Sequence, residues 1–432
     1  MSGVARLLVE RGCRVSGSDA VATTTTESLA AAGVDITIGF DVERAGAAEV
    51  VLWSPAVAET HPELLRARET GAELIDRAHV LSALGELYEV IGLTGTHGKT
   101  SATSMLALVF AAASLDAGRL VGAEVRGLGF NGHAGTTGQL LLETDESYGT
   151  FTELCPQALG LLNVEADHLD FYGSLAGLEE AFVQLVRRVR GPVVVWTDDA
   201  GARRVADAAD RVLVRVGTTD DTQWRVENIV LGRRGSSFDL RGPQNLALQL
   251  GVTGQHNVAN AATVAVLALS VGLAPAAVVR GLSEFHGAPR RFEFRGRWQN
   301  MDVYEDYAHL PGEISATLRA ARDAGYERVA CVFQPHRITR TLAIGDGFAS
   351  AFDDADVIVI TDIYTAGEAN PDHIDGRRVF DPVHARRGDR ASYAPRLADV
   401  KAALATLDAD VLFVLGAGDI GLVIAELGMR RD

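Results

Sequence analysis

The chain alternates short aliphatic runs with amphipathic segments along almost its whole length, and this alternation constrains the fold more than any other feature. Aliphatic runs of this kind predict strands that are buried on both faces, and the amphipathic segments predict helices that connect parallel strands. The expected architecture is therefore α/β. The expected strands are 14–18, 50–53, 90–94, 140–143, 159–162, 193–197, 329–333, 357–361 and 411–415, and the clearest expected helices are 2–11, 174–190, 258–271, 311–324 and 399–407.

The length of 432 residues suggests about three domains. We predict a Rossmann-like domain over 1–88, a central P-loop ATPase-like α/β domain over 89–288 and a C-terminal Rossmann-like α/β domain over 289–432. Short alternating segments with Gly, Arg and Ser turns predict antiparallel hairpins over 225–250, inside the central domain.

The first predicted elements of the chain correspond to the second half of a nucleotide-binding βαβ unit. A helix over 2–11 is followed by a strand over 14–18 that ends at Asp19. In a nucleotide-binding βαβ unit, a strand and a glycine loop precede such a helix, and an acidic residue ends the second strand. We therefore expect a Rossmann-like domain that begins one element late and lacks its first strand. A domain that starts with a helix is the alternative.

Composition excludes several classes of protein. No apolar run reaches the roughly 20 residues of a membrane span, and the N-terminus lacks the features of a signal peptide. The odd number of distant cysteines (Cys13, Cys155 and Cys331) predicts free thiols in a reducing cytoplasm. The net charge of -17 argues against broad binding of nucleic acid. We therefore expect a cytoplasmic protein with neither a nucleic-acid nor a membrane partner.

A glycine-rich loop with a lysine follows the expected strand 90–94. Only Lys99 and Lys401 are lysines among 40 basic residues, so a retained lysine suggests a specific role. A strand, a glycine loop, Lys-Thr and a helix form the geometry that binds phosphate, because backbone N–H groups, the helix dipole and the lysine face the anion. A glycine-rich turn with an exposed lysine is the alternative. The predicted loop consists of Gly95, Thr96, His97, Gly98, Lys99, Thr100 and Ser101.

Acidic clusters follow the next two aliphatic strands, and they contain Glu146 and His168. Residues just past the carboxyl ends of parallel strands line the ligand crevice, so both clusters are expected beside the phosphate loop. Glu146 can hold Mg²⁺ there together with the Thr100 hydroxyl, whereas His168 is a less usual ligand for this ion. The alternatives are a solvated loop acid for Glu146 and a capping or packing histidine for His168.

Asn257 and Asn260 lie at the start of an Ala-rich helix and share one helical face. Asparagine matches the donor and acceptor edges of adenine. It is also a common helix cap, and the residues alone favour the cap slightly.

The last third of the chain has two polar segments that each follow a strand and precede a helix. The first contains Asp306 and His309, and the second contains His336, Arg337 and Arg340. The two arginines are three residues apart, a spacing that can present two guanidinium groups to one carboxylate or phosphate. Two solvated arginines on an exposed helix are the alternative.

Taken together and in this order, these segments resemble the Mur ligases, and most closely the UDP-N-acetylmuramate–L-alanine ligase family. The resemblance covers essentially the whole chain. Any one segment is modest evidence, but their common order is very specific. The segments that carry it are 95–101, 145–147, 165–170, 254–260, 290–293, 306–311 and 334–341.

The resemblance implies a ligase of peptidoglycan precursor synthesis that takes ATP, Mg²⁺, UDP-N-acetylmuramate and L-alanine. It implies a monomer or homodimer whose three domains close around the substrates. The implied catalytic residues are Lys99, Glu146, His168, His309 and Arg337. The implied metal-site residues are Thr100, Glu146 and His168. The implied ATP-binding residues are the loop Gly95–Ser101 with Asn257, Asn260, Arg291 and Asp306. The implied substrate-binding residues are Ser18, Asp19, Ser54, His336, Arg337 and Arg340.

Four departures from the family pattern keep other hypotheses open. The N-terminal glycine loop is absent, and Tyr148, Leu310 and Ile338 replace residues usual in the family. One alternative is a related ligase for another amino acid or a recycled peptide. A second is a divergent nucleotide-binding homologue without catalysis. The resemblance does not separate the roles of Asp306 and His309 or identify the general base.

Overall fold

The computed structural model describes residues 1–54, 57–404 and 408–429. The last three residues of the expected helix 399–407 lie outside these ranges. Contacts between residues divide the chain into two units. Unit 1 contains residues 1–228, 238–249 and 259–285, and unit 2 contains residues 229–237, 250–258 and 286–432. The domain boundaries near residues 88 and 288 stay predictions.

The first part of unit 1 has short strands that form two separate parallel pairs. Strand β1 pairs with β2, and β3 pairs with β4, each as a two-stranded sheet. Most residues of these strands are at least partly exposed, including Ile38 and Val50. The parallel pairing fits the expected α/β class, but residues 1–54 and 57–88 form these two separate pairs and not one continuous sheet. The elements are α1 (Ser2–Glu10), β1 (Ser16–Asp19), α2 (Thr24–Ala31), β2 (Asp35–Ile38), α3 (Val42–Gly46), β3 (Val50–Trp53), α4 (Pro62–Thr70), β4 (Glu73–Asp76) and α5 (Arg77–Leu87).

A ten-stranded sheet follows, with the order β14-β13-β12-β11-β10-β9-β5-β8-β6-β7. Its strands are β5 (Glu89–Thr94), β6 (Gly118–Leu120), β7 (Gly132–His133), β8 (Gln139–Thr144), β9 (Ala158–Leu161), β10 (Val193–Trp196), β11 (Val214–Gly217), β12 (Trp224–Gly232), β13 (Gly235–Arg241) and β14 (Leu246–Leu250). Its helices are α6 (Lys99–Ala112), α7 (Leu169–Tyr172), α8 (Leu175–Arg188), α9 (Ala200–Ala208), α10 (Gln255–Ser270) and α11 (Pro275–Ser283).

Strand β5 lies between β8 and β9, and it is parallel to both. Five of its six residues are buried, as expected for a strand with neighbours on each side and helices on its faces. Thr94, at its carboxyl end, pairs in register with Thr144 of β8 and Leu161 of β9. The segments after these three strands therefore begin at the same edge of the sheet, as the sequence predicts.

Unit 2 contains a six-stranded sheet with the order β15-β16-β20-β17-β18-β19. All neighbouring strands are parallel except β15, which is antiparallel to β16. Side chains of β17 alternate between two buried clusters, so the whole run is apolar. The elements are β15 (Glu293–Trp298), β16 (Met301–Asp306), α12 (Pro311–Asp323), β17 (Val329–Phe333), α13 (Ile338–Ile344), β18 (Val357–Ile360), α14 (Arg377–Arg387), β19 (Ala391–Tyr393), α15 (Leu397–Leu404), β20 (Val411–Leu415) and α16 (Leu422–Glu426).

The expected strands and helices are found within a few residues of their predicted ends. The largest change among the described ends is at α10, which begins at Gln255 and not at residue 258. All three cysteines are free: Cys13 and Cys155 are exposed, and Cys331 is buried. Among the described residues, no helix is both long enough and apolar enough to cross a bilayer.

Candidate active site

The loop Gly95–Gly98 joins β5 to α6, and α6 begins at Lys99 as predicted. Gly95 has φ +141°, and a Cβ atom there would lie 2.8 Å from the carbonyl oxygen of Asn163. Only glycine fits this close approach. Asn163 also fixes the loop, because its Oδ1 accepts the N–H of His97 at 2.7 Å and its Nδ2 donates to the His97 carbonyl at 3.0 Å. The loop is therefore rigidly held at the edge of the sheet.

Lys99 lies back across this loop. Its Nζ donates to the carbonyls of Gly95 at 2.8 Å and Thr96 at 3.1 Å, and to Glu146 Oε2 at 2.6 Å. The side chains of Lys99 and Glu146 are 11% and 1% exposed. Burial lowers the pKa of Lys99, but the carboxylates of Glu146 and Asp145 outweigh it and raise this pKa above its ordinary value. The ammonium is thus charged and well enclosed, and the alternative of an exposed lysine is wrong.

Three other loop residues are held by hydrogen bonds, burial or an ionic contact. Thr96 Oγ1 accepts the N–H of Glu165 at 2.9 Å and donates to its carbonyl at 3.2 Å. Ser101 is buried in the first turn of α6. His97 Nε2 lies 3.4 Å from Glu165 Oε2, so the histidine also contacts the segment after β9.

Thr100 has a carboxylate partner that the sequence did not single out. Its hydroxyl donates to Glu143 Oε1 at 2.9 Å, and Glu143 Oε2 accepts the N–H of Gly122 at 2.6 Å. Glu143 lies on β8, one residue before its end. In the sequence it belongs to an aliphatic strand and precedes the acids at 145 and 146. The prediction therefore named Glu146, and not Glu143, as the metal-site acid of this segment.

A second group of possible metal ligands follows β8 and β9, at the carboxyl ends of these strands. One ligand atom from each of Glu146, Asp167 and His168 lies within 4.8 Å of the others. Oε1 of Glu146 is buried and has no hydrogen-bond partner among the described residues. His168 Nε2 is 3.1 Å from the Ser147 hydroxyl. The structure therefore brings together Glu146 and His168, as predicted, and neither is a freely solvated side chain.

The two asparagines of α10 are both buried. Asn257 is the third residue of α10 and donates through Nδ2 to the carbonyl of Thr253 at 2.8 Å, so it is not the N-cap residue of the helix. The Asn260 side chain lies next to the phosphate loop, where a Cβ atom on Gly98 would be 2.7 Å from its Oδ1. The capping interpretation is therefore wrong for Asn257, and adenine recognition stays a prediction for both.

In unit 2, Asp306 ends β16 and is almost fully buried. Its carboxylate accepts the N–H groups of Phe292 at 2.6 Å and Ala308 at 2.7 Å. Burial raises its pKa to about 6, although Arg291 and these hydrogen bonds oppose that shift. Arg291 stacks over the Tyr307 ring at 4.9 Å. Asp306 therefore shapes the turn that carries the next residues.

His309 follows this turn directly. Its Nδ1 lies 3.0 Å from the Tyr307 carbonyl and 3.2 Å from Glu313 Oε2. Its ring packs edge to face with the His336 ring, at a centroid distance of 5.9 Å. The two histidines that the sequence singled out in this domain are thus neighbours.

Arg337 and Arg340 do not lie on the same helix, so the alternative of two arginines on one exposed helix is wrong. Arg337 has φ +68° and lies before α13, which begins at Ile338. Its N–H donates to the Tyr364 carbonyl at 2.8 Å, and its Nε is 2.9 Å from Glu368 Oε1. These contacts hold it in a backbone conformation that no helix residue adopts.

Arg340 and Tyr364 both contact His336. Arg340 lies on α13, and its Nη1 donates to His336 Nδ1 at 3.0 Å. The Tyr364 ring stacks on the His336 ring at 5.7 Å and 10°. Sequence reasoning missed Tyr364 and Glu368, because their segment lies between β18 and α14 and lacks the strand-to-helix pattern that marked the other segments.

Near the N-terminus, the proposed substrate residues have local partners. The Ser18 hydroxyl donates to Glu63 Oε2 at 2.8 Å, and Asp19 Oδ1 accepts the N–H of Val21 at 3.2 Å. The Ser54 carbonyl accepts the N–H of Val57 at 2.8 Å. Ser18, Asp19 and Ser54 all lie at or just past the carboxyl ends of β1 and β3, where α/β proteins bind ligands.

Comparison with known proteins gives consistent matches along the chain. Residues 1–89 match the model described as Mur ligase family, catalytic domain, residues 93–268 match the Mur ligase middle domain, and residues 290–418 match the Mur ligase, glutamate ligase domain. A UDP-N-acetylmuramate–L-alanine ligase of Kineococcus radiotolerans is 39% identical over 99% of this chain and 93% of its own length. The chain belongs to the Mur ligase family.

Other Mur ligases support the same assignment. A ligase of the same name from Thermobifida fusca is 36% identical over 100% of this chain and 93% of its own length. The crystal structure of the UDP-N-acetylmuramate-alanine ligase of Thermotoga maritima superposes with a TM-score of 0.81 at 28% identity, covering 99% of this chain and 95% of that one. A murein peptide ligase of Psychrobacter arcticus, at 22% identity and a TM-score of 0.73, shares the fold over 100% of this chain and 97% of that one. The resemblance and the α/β fold class predicted from the sequence are confirmed.

The Thr100–Glu143 contact yields a prediction for this Mur ligase. Replacing Glu143 with Gln removes a charge beside the predicted Mg²⁺ ligand Thr100, so we expect about 10- to 100-fold weaker metal binding. Titration with Mn²⁺, followed by electron paramagnetic resonance, would measure the affinity directly. The exposed Glu153 is a matched control, because Glu153→Gln makes the same chemical change away from this contact. Equal Mn²⁺ affinity in Glu143→Gln and Glu153→Gln would contradict the prediction.

Proposed function

We propose that this Mur ligase joins L-alanine to UDP-N-acetylmuramate in an ATP-dependent step of peptidoglycan precursor synthesis. The observation that carries the proposal is full-length similarity to ligases of that name, at 39% and 36% identity. The enclosed Lys99 and the phosphate loop supply the chemistry that such a ligase requires.

A carboxylate is a poor electrophile, so it must be activated before an amine can attack it. In the proposed reaction the muramate carboxylate attacks the γ-phosphate of ATP, and an acyl phosphate and ADP form. Positioning and charge neutralisation provide most of the catalysis of phosphoryl transfer. We assign this role to Lys99 and to the backbone of Gly95–Ser101. Asn257 and Asn260 are proposed to contact adenine, with Arg291 and Asp306 close to the nucleotide.

The side chains beside the carboxyl ends of β5, β8 and β9 offer ligands that suit Mg²⁺. This ion prefers oxygen ligands, and the Thr100 hydroxyl, the Glu143 carboxylate and Oε1 of Glu146 offer them. Oε1 of Glu146 has no hydrogen-bond partner in the described part of the chain. His168 would then orient a carboxylate or a phosphate oxygen beside the ion. When bound, Mg²⁺ supplies positive charge that offsets the charge developing on the phosphate oxygens.

The third domain is proposed to bind the amino acid. Arg340 donates to the His336 imidazole, and the positive charge of Arg337 also acts on that ring, so the three side chains form a set suited to the alanine carboxylate and the acyl phosphate. Ser18, Asp19 and Ser54 are proposed to contact the uridine part of the other substrate. Free cysteines support the proposal that the reaction takes place in the cytoplasm.

Phosphate release tests the proposed function. The protein is incubated with ATP, Mg²⁺ and UDP-N-acetylmuramate, with and without L-alanine, and then with a panel of amino acids and peptides. We expect release that depends on L-alanine. A strong preference for another amino acid or a peptide would replace this function with that of a related ligase. ATP binding without phosphate release in any mixture would indicate a non-catalytic homologue.

A further inference from the structure

The two neighbouring histidines of the third domain, His309 and His336, differ in which ring nitrogen carries the proton of the neutral imidazole. Both are candidates for the base that an amine nucleophile needs, because L-alanine enters as an ammonium ion and must lose a proton before it attacks. The hydrogen-bond partners of each ring decide which of them can accept that proton, since carbonyls and carboxylates only accept hydrogen bonds and guanidinium groups only donate.

His309 must carry its proton on Nδ1. The partners of this atom are the Tyr307 carbonyl at 3.0 Å and Glu313 Oε2 at 3.2 Å, and both are acceptors. Glu313 is itself fixed, because Oε2 also accepts the backbone N–H groups of His309 at 2.9 Å and Leu310 at 3.2 Å. In the neutral imidazole, the lone pair is therefore on Nε2.

His336 has the opposite arrangement. Its Nδ1 accepts a hydrogen bond from Arg340 Nη1 at 3.0 Å, so the lone pair of the neutral ring is on Nδ1 and is already used. The proton of the neutral ring is on Nε2, which can only donate. Stacking on Tyr364 fixes the plane of the ring. His336 is therefore suited to donate to a carboxylate or phosphate oxygen, and not to take a proton.

Both rings are neutral near pH 7. Burial lowers the pKa of His309, Arg340 and Arg291 lower it further, and Glu313 and the Tyr307 carbonyl act in the opposite direction. Burial, Arg340, His309 and Arg337 lower the pKa of His336 to about 4, against a smaller effect of Glu368. The side chain of His309 is 13% exposed, so its surroundings favour the neutral ring.

We propose that His309 is the general base of the ligation step and that His336 is a hydrogen-bond donor to the substrates. This inference rests on the proposed function. Nε2 of His309 takes one proton from the alanine ammonium, and the freed lone pair forms the C–N bond to the acyl phosphate carbon. The C–O bond to phosphate then breaks, and the leaving phosphate takes the second N–H proton. The attack consumes the free amine as it forms, so a base of modest pKa suffices to supply it.

Two nucleophiles separate this role from a structural one. Hydroxylamine is mostly unprotonated at pH 7 and needs no base, whereas alanine does. In His309→Gln we expect the alanine-dependent rate to fall by about 100-fold or more, the typical effect of losing a general base. Formation of the hydroxamate from ATP, UDP-N-acetylmuramate and hydroxylamine should stay within about twofold of wild type, since the acyl phosphate still forms.

The pH profile provides a second readout. The wild-type alanine rate should level off above the pKa of His309 and fall below it as His309 becomes protonated. The residual rate of His309→Gln should show no such plateau and should keep rising with pH, because it depends on the fraction of alanine that is already unprotonated. His336→Gln should instead raise the KM for alanine and keep the wild-type pH profile. The exposed His384 is a matched control, and His384→Gln should behave as wild type.

Several outcomes would overturn the inference. Equal loss of the alanine and hydroxylamine reactions in His309→Gln would indicate a structural role, and a pH profile with the wild-type plateau in that variant would place the base elsewhere. Either result leaves the ligase activity of the wild-type protein intact, so it refutes this inference alone. A wild-type protein that forms the hydroxamate but ignores alanine would overturn the proposed function and this inference with it.

Discussion

Replacement of Lys99 with Met should lower alanine-dependent phosphate release by about 100- to 1000-fold, the range found when one preorganised donor to a developing charge is lost. Lys99 is the ammonium of the phosphate loop, and its neighbours Glu146 and Asp145 keep it charged. A methionine of similar length preserves packing and removes only the charge and the donors. Phosphate release at saturating ATP and alanine measures the effect.

The chain offers a matched control, because Lys401 is its one other lysine. Lys401 lies on α15, and its Nζ donates to the Glu426 carbonyl, so Lys401→Met should leave turnover unchanged. Loss of Lys99 also leaves Glu146 buried without its partner, and breaking a buried ion pair costs about 3–5 kcal/mol. The assay therefore includes the double variant Lys99→Met/Glu146→Gln, which removes the unpaired carboxylate as well. A thermal melt of each variant tests whether it is folded. A folded Lys99→Met protein with normal turnover would refute the assignment.

The second large effect is expected on stability. Phe333 ends β17 and is fully buried, with ring contacts to Phe348 at 5.7 Å and Phe352 at 5.5 Å. Phe333→Ala should lower the free energy of unfolding of this domain by about 3–5 kcal/mol, because it removes apolar contacts and leaves a cavity. Urea titration, followed through amide exchange of β17, would measure it.

Leu422 provides the comparison for this variant. It belongs to the same unit but is 59% exposed, so Leu422→Ala should change the free energy of unfolding by less than about 0.5 kcal/mol. Because Phe333 directly precedes Gln334 and the segment with His336, its loss should also raise the KM for alanine. Equal stability of the Phe333 and Leu422 variants would contradict the assignment of the core.

The parts of the site that the sequence predicted are those encoded by local pattern. The loop Gly95–Ser101 needs a strand, a glycine turn and a helix in immediate succession, and all three were readable from neighbouring residues. The positions of Glu146 and His168 followed from a general property of parallel sheets, whose strand ends share one edge. Neither inference needed a side-chain orientation.

The parts that the sequence did not predict depend on register and on long-range partners. Glu143 meets Thr100 only because β8 lies beside β5 in a particular register, which fixes which acid after the aliphatic run faces the loop. Arg337 leaves the helix because partners about 30 residues away, Tyr364 and Glu368, hold its backbone at positive φ. The tautomers of His309 and His336 could not be predicted from the sequence either, because a carbonyl and a guanidinium partner determine them.

The first four strands form two small sheets, and this arrangement should make them easier to unfold locally than the ten-stranded sheet. Strands β1 to β4 each have a single hydrogen-bonded neighbour among the described residues, whereas β5 has two. Opening these pairs exposes little apolar surface, so their amides should exchange with solvent at a lower free-energy cost than those of the ten-stranded sheet. A ligand that binds at their carboxyl ends would slow that exchange in proportion to its occupancy. Amide protection in this region would therefore test the proposed binding of the nucleotide sugar without any turnover.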